Sequence, residues 1–228
     1  MRIAVVHHRT RGDKLADLDA LTAAARTACE AGAGAVVFPF VPALSGLPDD
    51  ERAGLLERIE GCAEGVAVYI SFDDAREGGP RVVQTPLGRT GLLGGDACLR
   101  TDALERLLGE GLDTMIWRPR AESMLQAEAI LEFALGCAPS VAGVLLLAEC
   151  TGGTGHDGCQ GTSVIIHAGE IMSEAGGEDD EIIYADLDVP QRAPEPSLGL
   201  PVLPLILQQR LAVHEGRRLG VEYPADLS

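Results

Sequence analysis

The sequence is poor in basic residues and contains a single lysine, Lys14. Its 18 Lys and Arg residues stand against 35 Asp and Glu residues, which gives a formal net charge of -17. A chain with this charge repels phosphate backbones and anionic lipid head groups. Nucleic acid and membrane surfaces are therefore not expected as partners.

Long apolar runs are also missing. The stretches 141–148 and 198–207 are too short to span a bilayer, and no apolar segment of signal-peptide length follows Met1. We therefore expect a cytoplasmic protein.

The six cysteines lack any C-x-x-C spacing, so we expect reduced thiols that fill small core positions. His156, Asp157 and Cys159 lie in one glycine-rich loop and could by type bind a metal together with His7 or His8. Their spacing fits no established zinc pattern, and a flexible connection is the preferred interpretation. We expect no metal and no other cofactor.

No polar linker divides the first 188 residues, and a chain that is 46% hydrophobic can bury one substantial core. Strand and helix patterns alternate in the first half, which predicts a layered α/β domain. Asp13 and Asp49 are the predicted caps of two helices, the first with Leu15 on its apolar face, and 85–88 is predicted to be a hairpin turn. The chain changes character after residue 188, where prolines are frequent up to residue 204 and a short basic helix candidate follows at 208–218. We expect residues 1–188 to form one domain, and residues 189–228 to be an extension that packs on this domain or on a partner subunit.

Residues 161–188 carry the most characteristic motif, GTSVIIHAGEIMSEAGGEDDEIIYADLD. A Gly-x-Ser opens one strand, a Gly-Glu pair turns the chain, and a second strand ends in an acidic residue. This pattern resembles the closing β-hairpin of the nitrilase, or carbon–nitrogen hydrolase, superfamily. The stretches 31–40 and 85–117 are similar to two further blocks of that family. The resemblance implies a shortened α/β fold with four αββα layers, and a homodimer that associates through its helical faces.

The resemblance also implies where a Glu, a Lys and a Cys should carry the chemistry, and none of them is present. Phe40 occupies the place of the general-base Glu, and an aromatic ring cannot exchange a proton. Gly91 and Gly111 fix the register of the next block and place the nucleophile at Gly95. Lys14 precedes Phe40, which is the wrong order for the oxyanion-stabilising Lys. Because such residues act as a unit, we expect the family's mechanism to be absent.

Cys98 is the substitute nucleophile that an alternative hypothesis requires. It lies three residues after Gly95. It would need a lowered thiol pKa and a base such as Asp96, Asp102 or one of His7 and His8. The alternative is a divergent amidase-type carbon–nitrogen hydrolase that uses Cys98. A cysteine at an apolar position near a helix start is more often simply buried.

The resemblance implies that six residues line the former active site: Phe40, Gly95, Asp96, Trp117, Arg118 and Glu149. Trp117 could either bind a flat ligand or fill the space. Arg118 would suit a carboxylate ligand, although an arginine at a strand end is as often solvated. The leading prediction is a non-catalytic pseudoenzyme that binds a small carboxylate or amide, or that serves as a structural or regulatory subunit.

Overall fold

The computed structural model describes residues 1–63, 65–70, 80–94, 98, 100–153 and 159–188. The predicted extension at 189–228 lies outside the described residues. None of the helices in the described part of the chain is long and apolar enough to cross a membrane.

The described residues form two β-sheets with helices beside them. The strands are β1 (Arg2–Thr10), β2 (Ala35–Val37), β3 (Ala67–Tyr69), β4 (Arg81–Thr85), β5 (Gly88–Gly94), β6 (Thr114–Arg118), β7 (Val144–Leu147), β8 (Cys150–Gly152), β9 (Cys159–Gln160), β10 (Ser163–His167), β11 (Glu170–Ala175) and β12 (Glu181–Asp186). The helices are α1 (Lys14–Glu30), α2 (Asp49–Cys62), α3 (Thr101–Leu108) and α4 (Met124–Cys137), with short 3₁₀ turns at Pro42–Leu44 and Ala138–Ser140.

The first sheet has the strand order β3-β2-β1-β8-β9, and β12 also pairs with β1. The second sheet has the order β11-β10-β7-β6-β5-β4. In the second sheet β5, β6 and β7 run parallel to one another, so their carboxyl ends lie at one edge. This arrangement places the residues that follow these three strands close together, as is usual for ligand sites in α/β sheets.

Three clusters of buried apolar side chains correspond to the three interfaces of a four-layer molecule. Successive residues of β1 alternate between them, with Ile3 and Val5 between the two sheets and Ala4 and Val6 against α1 and α2. A third cluster, which includes Phe133, joins the second sheet to α3 and α4. The described residues therefore form the four-layer αββα sandwich that the sequence predicts.

Local sequence signals account for the start of α1 but not for that of α2. Asp13 caps α1 by accepting from the backbone N–H groups of Leu15 at 2.9 Å and Ala16 at 3.3 Å. The prediction that Leu15 belongs to the apolar face of this helix is wrong, since it lies in the first turn and is 70% exposed. Asp49 is the first residue of α2 and makes no capping hydrogen bond, contrary to its predicted role.

A disulfide joins Cys150 to Cys159, and this corrects the expectation that all six cysteines are reduced thiols. The two residues lie on the antiparallel pair β8 and β9, which the Gly152–Cys159 pairing holds in register. This pairing brings the two Cα atoms to 5.7 Å, a separation at which a disulfide forms without backbone movement.

Candidate functional site

Glu149 marks the point where the chain crosses from the second sheet to the first. It follows β7 by two residues, and the next residue, Cys150, pairs with His8 of β1. Its side chain is fully buried. Burial of a carboxyl group at this edge destabilises the fold unless the group is hydrogen-bonded by its surroundings.

The predicted Gly-x-Ser motif supplies that environment. The backbone N–H of Thr162 donates to Oε2 of Glu149 at 3.1 Å. A Cβ atom at Gly161 would lie 2.3 Å from the Cβ of Glu149, so only glycine fits there. The Ser163 hydroxyl lies 3.0 Å from the Glu149 N–H and 3.1 Å from its carbonyl oxygen. All three motif residues therefore hold Glu149 in place.

His7 extends this arrangement from the first sheet to the second. Its Nδ1 lies 3.1 Å from the Ser163 hydroxyl oxygen, and its Nε2 lies 3.2 Å from the carbonyl oxygen of Gly177. Burial lowers the pKa of His7, despite opposing contributions from the Gly177 carbonyl and nearby acids, and this favours the neutral ring. Because a carbonyl oxygen can only accept, we assign the proton of the neutral ring to Nε2, which donates to Gly177.

Arg118 is the last residue of β6 and lies beside the end of β5. It is 3% exposed, and it pairs in register with Gly94, the last residue of β5. A Cβ atom at Gly94 would lie 3.7 Å from a terminal nitrogen of the Arg118 guanidinium. The buried cation and the buried carboxyl group of Glu149 thus follow neighbouring parallel strands at the same edge.

Trp117 faces the helical layer. It is fully buried, and its ring meets that of Phe133 edge-on, with the centroids 5.9 Å apart. Its indole N–H donates to the carbonyl oxygen of Cys98 at 3.2 Å. These contacts make Trp117 a core side chain of the second sheet.

The other predicted site residues divide into described and undescribed ones. Phe40 is 3% exposed and follows β2 by three residues. Gly95 and Asp96 lie outside the described residues. Cys98 has no exposed surface and belongs to the apolar cluster between the second sheet and its helices.

One of the candidate metal ligands in the glycine-rich loop is not available to bind a metal. Cys159 is bonded to Cys150, and His156 and Asp157 lie outside the described residues. Within the described ranges, no group of three or more His, Cys, Asp and Glu side chains is arranged to hold a metal ion.

A second polar cluster, which the sequence did not reveal, surrounds His8. Its Nε2 lies 3.0 Å from Oδ1 of the buried Asp17, and its Nδ1 lies 2.9 Å from Oδ1 of Asp180. Asp17 also accepts from the Thr10 hydroxyl at 3.0 Å and from the Arg11 N–H at 2.9 Å.

Asp180 belongs to the acidic run 178–181. Although desolvation raises its pKa, hydrogen bonds from the Arg9 N–H and the Arg11 guanidinium outweigh that effect and leave the pKa below its usual value. The one sequence feature that could have indicated this cluster is the spacing of nine residues from His8 to Asp17. This spacing allows a residue of a strand to face a residue of the helix that follows it.

Solved structures with the same architecture include several forms of an amidase from Nesterenkonia sp. AN1. The native amidase has a TM-score of 0.64 at 18% identity, and the match covers 82% of this chain and 93% of the amidase chain. A cysteine-to-serine variant, described as belonging to the nitrilase superfamily, has a TM-score of 0.65 at 18% identity over 95% of this chain and 97% of its own. A glutamate-to-glutamine variant carries the acetamide moiety of fluoroacetamide on the active-site cysteine, with a TM-score of 0.64, 18% identity, and 84% and 91% coverage.

This chain has the nitrilase fold. The resemblance inferred from residues 161–188 is confirmed at the level of the fold, which is that of carbon–nitrogen hydrolases. No model of a known protein family matches the sequence, and no curated protein matches it. Gly94, Arg118 and Glu149 all lie at the carboxyl edge of the sheets. In this fold we therefore take that edge as the candidate functional site.

Proposed function

We propose that this protein binds a small uncharged amide at the edge formed by the ends of β5, β6 and β7, and that it does not cleave the amide. The observation that carries the proposal is the pair of buried ionisable side chains, Arg118 and Glu149, at this edge of a nitrilase fold. Polar groups of this kind at the carboxyl edge of a parallel sheet commonly orient a ligand.

The two side chains together favour an amide over a carboxylate. An arginine donates to a carbonyl oxygen, and a carboxyl oxygen accepts from an amide NH₂ group. A carboxylate ligand would also pair with Arg118, but it would bring a second carboxyl group close to Glu149. An amide offers a carbonyl oxygen to Arg118 and an NH₂ group to Glu149, and we therefore assign the ligand to that class.

We propose that the amide is not cleaved because of the residues that stand where the family has its catalytic residues. Phe40 offers no proton acceptor where the family has its Glu, and Gly95 offers no nucleophile where it has its Cys. The buried thiol of Cys98 supports the same proposal, since it lies among apolar side chains on the helical side of the sheet.

Calorimetric titration with butyramide and with butyrate tests the proposal. We expect saturable binding of butyramide, weaker binding of butyrate, and loss of butyramide binding in Arg118→Gln. The matched control is Arg89→Gln, because Arg89 is exposed and pairs with Glu110 at the surface. Equal binding by both variants, or no saturation by the native protein, would contradict the proposed site.

A hydrolase that uses Cys98 is the second candidate function. It is favoured by one observation, namely that structures of the same fold are amidases in which an active-site cysteine reacts. Ammonia release from acetamide or butyramide that disappears in Cys98→Ala would establish it. A protein that neither binds nor cleaves these amides would instead fit a structural or regulatory subunit.

We propose a homodimer as the assembly. Its support is the family's usual association through helical faces, together with Met124 and Leu125, which are 56% and 60% exposed at the start of α4. Exposed apolar side chains close together on an outer helix are typical of interfaces.

A further inference from the structure

A groove lies between α1 and β12 on the outer face of the first sheet. Its volume is about 540 Å³. Small side chains of the helix form one wall and larger apolar side chains of the strand form the other: Ala20, Ala23, Ala24, Thr27, Ile182 and Tyr184.

The strand register explains why the groove is open. Ala4 pairs with Tyr184 and Val6 pairs with Ile182, so the latter two side chains point to the same face as the residues that α1 covers. Ala4 and Val6 are buried by the helix, whereas Ile182 and Tyr184 remain only partly buried. An additional chain segment on this face would cover Ile182 and Tyr184.

The described chain ends at Asp188, four residues beyond Tyr184 at one end of this groove. The Leu187 N–H donates to the Met1 carbonyl oxygen at 2.9 Å, and Arg2 pairs with Asp186 at 2.8 Å, so the last described residues are held beside β1. Forty residues follow Asp188. At roughly 3.3 Å per extended residue, ten residues reach about 33 Å, whereas the six-residue strand β12 is about 20 Å long. The chain after Asp188 is therefore long enough to return along the groove.

The composition of the segment 189–228 fits the groove. It carries four Arg and four Asp or Glu, so the formal charge of -17 belongs entirely to residues 1–188. Residues 202–207, VLPLIL, form an apolar run, and Arg210 follows closely. The groove offers the apolar Ile182 and Tyr184 along its wall, and Asp180 and Glu181 at one end.

We propose that residues 202–213 occupy the groove between α1 and β12 of the same molecule. The tether at Asp188 keeps the segment at an effective concentration in the millimolar range, which favours the chain's own segment over that of a second copy. The apolar run covers Ile182 and Tyr184, and Arg210 faces an acidic domain.

Photo-crosslinking in the full-length protein tests this proposal. The photoreactive residue p-benzoylphenylalanine is placed at Ala23, an exposed position in the groove, and in a control at Ala53, an exposed alanine of α2. We expect peptides from 189–228 to be linked to position 23 and not to position 53. Mixing ¹⁵N-labelled and unlabelled protein distinguishes links within one molecule from links between copies.

Crosslinks only between copies, or none to this segment, would overturn the proposal.

Hydrogen exchange provides an independent check in variants without the photoreactive residue. We expect Ala23→Trp to increase the exchange of amides in 202–213 at least tenfold, and Ala53→Trp to leave it unchanged. Unchanged exchange in a folded Ala23→Trp protein would equally contradict the proposal.

Discussion

Gly161 lies against the side chain of Glu149 so closely that a Cβ atom there would be 2.3 Å from the Cβ of Glu149 and 2.9 Å from the Cys150 carbonyl oxygen. The glycine of the Gly-x-Ser motif is thus required by packing against a buried carboxyl-bearing residue. The motif that indicated the fold is also the support of the candidate site.

Replacing this glycine should destabilise the protein. We expect Gly161→Ala to lower the free energy of unfolding by about 1–3 kcal/mol, since the methyl group overlaps atoms of the backbone and of Glu149. Gly54→Ala in α2 is the matched control, because no atom lies within 4 Å of its Cβ position and alanine favours a helix. Urea denaturation measures both, and equal midpoints would show that the close contact is absent.

His7 should make stability depend on pH. Burial lowers its pKa in the folded protein below its ordinary value of 6.5. The folded state therefore resists protonation, and its stability is fully present above pH 6.5 and is lost as pH falls from 6.5 towards the folded pKa. Unfolding free energies measured between pH 8 and pH 5 should show this decrease in the native protein and a smaller one in His7→Gln. An identical slope in both proteins would rule out the contribution of His7.

The acceptor role of Asp17 should also be measurable. It is fully buried and accepts from His8, Thr10 and Arg11. We expect Asp17→Asn to cost about 3–5 kcal/mol, because an amide group cannot accept from all these donors and leaves His8 poorly paired. Asp19→Asn on the same helix removes only an exposed pair with Arg58 and should cost less than about 1 kcal/mol. Chemical denaturation of the two variants gives the comparison, and similar losses would contradict the role assigned to Asp17.

The disulfide predicts a definite thiol count. Peptide mapping without reductant should recover Cys150 and Cys159 as one linked pair. Four thiols should then be alkylated in denaturant, those of Cys29, Cys62, Cys98 and Cys137. In the native protein Cys137 should react slowly, since burial raises its pKa to about 12. Six alkylated thiols in freshly purified, unreduced protein would contradict the pairing.

The proposed dimer can be tested on its helical face. Light scattering should give twice the chain mass of 23.9 kDa for the native protein. We expect Leu125→Asp to yield monomers, because a carboxylate would be buried at the interface. Leu15→Asp is the control, since Leu15 is 70% exposed on α1, in the other helical layer. Monomers in the native protein, or the same response from both variants, would argue against this interface.

Features that depend on neighbours in the sequence were predictable. The Asp13 cap and the Thr85–Gly88 turn both involve backbone groups within three residues, and the structure confirms them. Gly88 has a φ of +85°, and a Cβ atom there would lie 2.5 Å from a carboxyl oxygen of Asp113, so its position in the turn is also fixed by packing.

Features that depend on distant parts of the chain were not predictable from the residues alone. Asp180 contacts His8 across 172 positions, and in the sequence its acidic run is typical of a solvated turn. The Cys150–Cys159 bond requires β8 and β9 to pair, and their short strand patterns do not show that pairing. The sequence predicts Trp117 at the site because it lies at the end of a strand. The direction of its ring depends on packing against Phe133, which the sequence alone does not show.

The central claim, that the site at the ends of β5, β6 and β7 binds a small amide without cleaving it, is tested most directly with ¹⁵N-labelled butyramide followed by NMR. We predict saturable broadening of the butyramide signals in the presence of the native protein, its loss in Arg118→Gln, and no ammonium signal over time. Ammonium that accumulates with the native protein and is absent with Cys98→Ala would contradict the claim and establish an amidase.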